Sequence, residues 1–404
     1  TKDTVEALRD SNLAHLLAIS GMNMAFLTGF VFMLVRYGLA LIPPVALRVN
    51  TKKLAAVVGF GVALFYLLLS GSNVATERAF LMVSVMLGAV MLDRRALTLR
   101  SVALAAVVLL LWQPESLTEP GFQLSFAATI ALIAGFGALD RRVMREKLPR
   151  FIMPLFTLVF SSVIAGAATA PFAAATFNRF TDYGLIANLL TVPMMSVLMG
   201  AGAMAALLAP FGLAAPALWL MELAARWILF VAHWIAGLEG SVTPIVAPGP
   251  WVMPLLSFGG LLLILMRGRV RWAAVAPLTL GLVLWAGVDR PPLLISSDGA
   301  LVGLETPLGR ALSAEKGAGF TAGTWLEKDV DMASQAEAFA RAGFTGARGA
   351  REFTLPTGHK VIALSGKFAD VAAACARADL VVLSTTVPNP SQLSKDCLVI
   401  DKTV

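Results

Sequence analysis

Ten stretches of this chain are apolar over close to the length that crosses a lipid bilayer, and nothing constrains its fold more. They run 15–35, 54–70, 79–92, 101–112, 121–139, 151–177, 184–208, 216–238, 251–266 and 272–288. A crossing helix needs about 20 apolar residues, because at about 1.5 Å per residue that length spans the roughly 30 Å hydrocarbon core. With 58% hydrophobic and only 14% charged residues, the chain is too apolar for a water-soluble globule of its size. The expected fold is an α-helical polytopic membrane protein of about 8–10 transmembrane helices over residues 1–290. A small soluble α/β or α+β domain follows over 291–404.

Charge placement orients the helices, since Lys and Arg near helix ends are retained in the cytoplasm. With the N-terminus outside, the inside loops collect Arg36, Arg48, Lys52, Lys53, Arg94, Arg95, Arg100, Arg141, Arg142, Arg145, Lys147, Arg150, Arg267, Arg269 and Arg271, whereas the outside loops hold Arg78 and Arg179. This predicts both ends outside, and topology accounts for the basic excess without a nucleic-acid partner. Segment 216–238 admits a second arrangement. Glu222, Arg226 and His233 fall within about 40° on a helical wheel, so it either spans with an intramembrane ion pair or lies flat at the interface. If it lies flat while 184–208 enters and returns on one side, the rest of the topology survives with fewer crossings.

After Pro291 and Pro292 the character changes. Residues 291–404 lack any apolar run of spanning length and balance 11 basic against 12 acidic residues. Strand-like runs such as KVIALSG and ADLVVLS alternate with the helical DMASQAEAFARAG. Both cysteines, Cys375 and Cys397, lie here. On the outer, oxidising side they are expected to form a disulfide, the alternative being two inert buried thiols, and spacing alone does not bring them together.

Common catalytic signatures are missing. There is no GxxxxGK[ST] phosphate loop, so ATP hydrolysis is not expected of this chain. The histidines, His15, His233 and His359, are far apart, so no metal site and no cofactor is expected. The information lies in polar residues within apolar segments, which are costly there unless they face a bundle interior or water. Candidates for a pathway are His15, Ser20 and Asn23, Glu77 and Arg78, Gln123 and Ser125, Arg179, and Asn188 and Thr191. Each could instead make an interhelical hydrogen bond of about 0.6 kcal/mol. Pro171 and Pro193 mark expected helix breaks, which are tolerated at membrane depth beside protein or a watery cavity. Phe177, Phe180 and Tyr183 could stack bases or form an interfacial belt.

Four ordered motifs carry a resemblance. HLLAISGMNMAFLTG resembles the opening motif of the competence domain of the ComEC family of DNA-uptake channels. SGSNVATERAFLMVSVML, EPGFQLSFAATIALI and the pair TAPFAAATFNRF and ANLLTVPMMSVLMG resemble that family in the same order, over roughly residues 8–290. The resemblance implies a multi-pass protein of the bacterial inner (plasma) membrane that passes single-stranded DNA into the cytoplasm during natural transformation. It implies as partners the lipid bilayer, a periplasmic DNA receptor and a cytoplasmic ATPase or strand-capture proteins, with homo-oligomerisation left open. Where the family commonly has a histidine after SGL, this chain has Asn23 after SGM. Many members continue into a metallo-β-lactamase-like domain rich in His and Asp. Here LLISSDGALVGLET stands at that point and His359 is the one histidine that follows, so a degenerate relative without nuclease activity is expected. A start at TKDT without methionine is what a fragment of a longer protein would show. A small-solute transporter, which should show related motifs in two halves, and a membrane hydrolase using Glu222, Arg226 and His233 are the competing readings.

Overall fold

A computed structural model of the chain describes residues 2–17, 21–71, 74–140, 149, 151–347, 349–355, 357–365, 370–386 and 397–402. The chain divides into two compact units, residues 1–243 with 260–273, and residues 244–259 with 274–404.

The first unit is helical. Its elements are α1 (Lys2–Asp10), α2 (Ala14–Leu17), α3 (Gly21–Ala40), α4 (Pro43–Ala46), α5 (Thr51–Leu69), α6 (Val74–Met91), α7 (Leu99–Trp112), α8 (Pro120–Asp140), α9 (Met153–Phe177), α10 (Gly184–Leu208) and α11 (Ala215–Ala236). Local chemistry sets the ends. Asn50 caps α5 by accepting from Lys53 N at 3.2 Å, and Thr98 caps α7 by accepting from Ser101 N at 3.1 Å. Asn178 ends α9 in the left-handed region at φ 52°, where asparagine is tolerated. A short pairing of β1 (Arg179–Thr181) with β2 (Val242–Pro244) lies between the later helices.

Among the described residues seven helices are long and apolar enough to cross a membrane: 23–40, 51–69, 74–91, 120–139, 153–177, 184–211 and 215–236. The remaining apolar runs form shorter helices. These are α7 with 14 residues, α12 (Val252–Leu265) with 14 and α13 (Val275–Ala286) with 12. At about 1.5 Å per residue they reach roughly 18–21 Å, short of the hydrocarbon thickness. Within the stretch expected to be helical from residue 15, Ala14–Leu17 and Gly21–Ala40 are helical, and residues 18–20 lie outside the described ones. A second expectation is corrected. Neither Pro171 nor Pro193 breaks its helix, since α9 and α10 each run through the proline for 25 residues. Proline withdraws one N–H, at Pro193 the one that would reach the Leu189 carbonyl, and the helix runs on. Near Pro193, Trp227 of α11 donates its indole N–H to the Leu190 carbonyl at 3.1 Å. The re-entrant form of 184–208 is therefore not what folds. Instead α10 and α11 make an antiparallel hairpin, with Leu190 beside Trp227 and Gly202 beside Met221.

Five of the long helices and the shorter α7 pack in a cycle. α3 packs on α6, α6 on α7, α7 on α8, α8 on α9, α9 on α10 and α10 back on α3. Met24 of α3 meets Ala79 and Val83 of α6, and Phe122 and Phe126 of α8 pack with Val102 and Leu109 of α7. Phe136 of α8 lies 5.2 Å, centroid to centroid, from Phe160 of α9. Phe26 of α3 joins Ala187 and Met195 of α10. Among the described residues opposite members of this ring share no comparable packing. α5 covers α3 and α6 from outside, and α11 lies on α10.

The second unit carries α12 from Val252 to Gly259, α13 and an α+β region. Gly259 leaves room for Leu278, which would stand 2.7 Å from an added Cβ, and Gly281 admits Leu256. One sheet orders β3 (Leu293–Ile295), β4 (Val302–Thr306) and β5 (Gly309–Leu312), all antiparallel. α14 (Gly319–Lys328) and α15 (Gln335–Ala340) follow. A second sheet orders β6 (Ala350–Thr354), β7 (Lys360–Leu364), β8 (Leu380–Leu383) and β9 (Leu398–Ile400), with β6–β7 antiparallel and the others parallel. α16 (Val371–Cys375) connects β7 to β8. Strand β7 shows why KVIALSG reads as near-continuous apolar chain: Val361 and Ala363 face one core layer, Ile362 and Leu364 another. Cys375 and Cys397 are joined in a disulfide, their Cα atoms 5.4 Å apart, which ties the end of α16 to the start of β9.

Candidate functional site

Polar residues of the helix ring gather at the head of α6. Glu77 stands in its first turn, where the helix macrodipole favours an anion, and Arg78 follows it. Arg78 is balanced by Glu119, whose Oε2 accepts from Nη1 at 2.7 Å, the side chains being 10% and 35% exposed. Gly121 makes the approach possible, because a Cβ there would lie 2.0 Å from Arg78 Nη2 and 2.7 Å from Cζ. Glu77 accepts from Gln113 Nε2 at 2.9 Å, and the fully buried Ser116 donates to Gln113 Oε1 at 3.4 Å. Gln123 donates to the Leu117 carbonyl at 3.1 Å. Glu77 and Arg78, near the start of α6, thus hold both ends of the α7–α8 connection, a 3-10 turn at Pro114–Thr118. The start of α3 reaches the same place. A Cβ on Gly21 would stand 3.6 Å from Ala79 Cβ, and Asn23, buried, lies two residues further on.

A second cluster joins the N-terminal segment to the α9–α10 turn. Arg179 Nη1 donates to Asp10 Oδ1 at 2.9 Å. Asn12, in the left-handed region at φ 63°, lies against Gly184, where an added Cβ would be 3.0 Å from Nδ2. His15 Nδ1 is 2.8 Å from the Asn12 carbonyl, so this nitrogen carries a proton and donates. Asp182 accepts from Thr243 Oγ1 at 2.7 Å.

The structure therefore brings Asn23, Glu77, Arg78 and Gln123 to one end of the ring and His15 with Arg179 to another group. Ser125 is exposed on α8, and its carbonyl accepts from Thr129. On α10, Thr191 is fully buried and donates to the Ala187 carbonyl, while the buried Asn188 Oδ1 has no hydrogen-bond partner among the described residues. Ser20 lies outside the described residues. Phe177 and Phe180 are exposed, and Tyr183 donates to the Glu239 carbonyl at 3.4 Å. On α11, Arg226 donates to Glu222 at 2.6 Å with the side chains 76% and 57% exposed, beside an apolar groove of about 550 Å³ lined by Met194, Leu223, Arg226, Trp227 and Phe230. His233 bonds its own helix at Leu229. Among the described residues no group of three or more His, Cys, Asp or Glu is placed to hold a metal ion.

Sequence reasoning passed over Gln113, Ser116, Glu119 and Gly121. The signal was available at Glu119, because an arginine near the start of a spanning helix demands a carboxylate and EPGFQ supplies one where the next such helix begins.

The comparisons with known proteins bear on residues 1–270, which match the family described as Competence protein. The chain is 28% identical over 207 residues to ComE operon protein 3 of Bacillus subtilis (strain 168), a match that takes in 51% of this chain and 24% of that protein. No solved structure matches. With the family's region spanning all seven long helices in full and all of the polar clusters above, this multi-pass membrane chain belongs to the competence protein family.

Proposed function

We propose that the chain is the membrane part of a DNA-uptake protein and conducts a single DNA strand along the inside of its helix ring. The observation that carries this reading is the ring itself, with a polar, ion-paired cluster at one end. Helices pack at interaxial distances of about 8–10 Å, and in a regular six-membered ring each axis is that far from the centre. Subtracting a helix radius of about 5–6 Å leaves a lumen roughly 4–10 Å across. An extended single strand is of that size. A duplex, whose major groove alone is about 12 Å wide, is not. A strand carries a charge at every nucleotide, so its path must be wet and polar and must hold each phosphate weakly. The buried, unsatisfied Asn188 amide oxygen fits a wet interior, since such groups are rare unless water or a passing group satisfies them.

On this reading residues 1–290 form the channel, both ends of the chain lie in the periplasm, and residues 291–404 form a periplasmic domain without a metal site. Movement inward is driven by a cytoplasmic ATPase or by capture of the arriving strand, and a separate receptor delivers DNA from outside. The test is deletion of the gene in a competent strain, with labelled DNA followed separately into the periplasm and the cytoplasm. The expected result is periplasmic accumulation without cytoplasmic arrival. Unchanged arrival would sink the channel reading and favour the small-solute transporter.

A further inference from the structure

We infer that Arg78 is a phosphate-exchange site at the end of the ring, with Glu119 holding the place of a phosphodiester between visits. This rests on the DNA-strand reading above and deepens it. Carboxylate and phosphodiester offer a guanidinium the same pair of acceptor oxygens in one plane, so an ion pair that fits one is shaped for the other. The partners are unequal. Arg78 is held down, 10% exposed, its guanidinium pressed over the backbone at Gly121. Glu119 is 35% exposed at the start of α8, where its carboxylate can turn out to water without disturbing its backbone, which accepts from Phe122 N at 3.1 Å and Gln123 N at 3.2 Å. The geometry is that of a fixed cation and a movable anion.

Transport supplies the reason for such a pair. A buried arginine with no counter-charge would hold a phosphate too long, whereas conduction needs binding strong enough to admit and weak enough to release. An internal carboxylate that competes for the same guanidinium sets that balance, as a built-in counterion that each phosphate displaces and that returns behind it. The Asp10–Arg179 pair lacks this asymmetry, both side chains being 29% exposed.

The test is binding of a fluorescent oligothymidylate, and of an uncharged methylphosphonate oligothymidine, to the full chain in nanodiscs across a salt series. Glu119→Gln is expected to tighten the phosphodiester probe roughly tenfold and to steepen its salt dependence by about one counterion, leaving the uncharged probe unchanged. Arg78→Gln in the same background should abolish the gain. Glu119→Asp, which keeps the charge but shortens the reach, should fall between wild type and Glu119→Gln and covers the case in which Glu119→Gln fails to fold. No tightening in either variant, or equal tightening of both probes, would overturn the exchange site. If no form binds the oligonucleotide while Glu119→Gln binds inorganic polyphosphate through Arg78, the anion site stands and the DNA reading falls.

Discussion

Arg78 in the helical unit and Arg310 in the α+β unit each lie over a glycine and each meet a carboxylate, yet only one of them is sealed. A Cβ on Gly303 would stand 2.9 Å from Arg310 Cδ, as one on Gly121 would crowd Arg78. Arg310, 1% exposed, pairs with Asp329, which is itself 10% exposed and holds Arg290 at 2.5 Å with its other oxygen. Its remaining donors reach the Gly303 carbonyl at 3.3 Å and the Pro291 carbonyl at 3.1 Å. Arg341 extends the network, bonding Asp331 and the Arg310 carbonyl. Burying a charge is costly unless its donors find partners, and here protein supplies one to each of the three guanidinium nitrogens. At Arg78 the described partner is a single carboxylate that faces water. The contrast teaches that the same local device, a glycine cradle under an arginine, serves architecture when the carboxylate is enclosed and leaves room for exchange when it is open.

The sharpest way to break this comparison is to remove each carboxylate in turn. Asp329→Asn should destabilise the second unit by about 3–5 kcal/mol, the cost of leaving a buried charge unpaired. The loss should be read as faster hydrogen exchange at the amides of β4 and β5. Glu119→Gln should cost the first unit much less, about 1–2 kcal/mol, because its carboxylate already reaches water. Equal losses would mean that Arg78 is as architectural as Arg310. Next in size is the disulfide. Cys375→Ser with Cys397→Ser opens a link between residues 22 apart, for which chain entropy gives about 3 kcal/mol. Exchange should rise in β8 and β9 and leave the α3–α6 contact untouched. A loss confined to the second unit sharpens the division between a stapled region and an exchanging one.

How far the sequence exposes these sites depends on what carries them. The apolar runs announce themselves because a bilayer admits few alternatives, and β7 does so because a strand buried on both faces has to be apolar throughout. Helix lengths are less legible. The runs at 101–112, 251–266 and 272–288 have spanning character in composition, but α7, α12 and α13 stop short. Prolines mislead as well: Pro171 and Pro193 suggest breaks, yet α9 and α10 each run through theirs for 25 residues. Pairings between distant residues, Arg78 with Glu119 or Arg310 with Asp329, have no period to reveal them. The glycines that permit both sit inside runs read as a helix and a strand, where nothing marks the close approach.

The smallest expected effect is a pH slope in the sealed network. Asp331 is held below the ordinary carboxylate range, first by the hydrogen bonds from Arg341 and further by the Ala333 and Arg310 backbone N–H groups. A carboxylate whose pKa is depressed on folding contributes stability that is fully present above its unfolded value, about 3.9. That stability fades as pH falls through the depressed folded value. Thermal stability of the second unit should therefore be flat from about pH 7 to pH 5 and decline below about pH 4. Arg341→Gln should flatten the decline, since it removes the largest cause of the shift, while leaving the Arg310–Asp329 pair in place. The helical unit offers a control within the same molecule. Hydrogen exchange along α3 and α6 should not follow Asp331, and an Arg341→Gln change that altered exchange there would show that the two arginine sites are not independent.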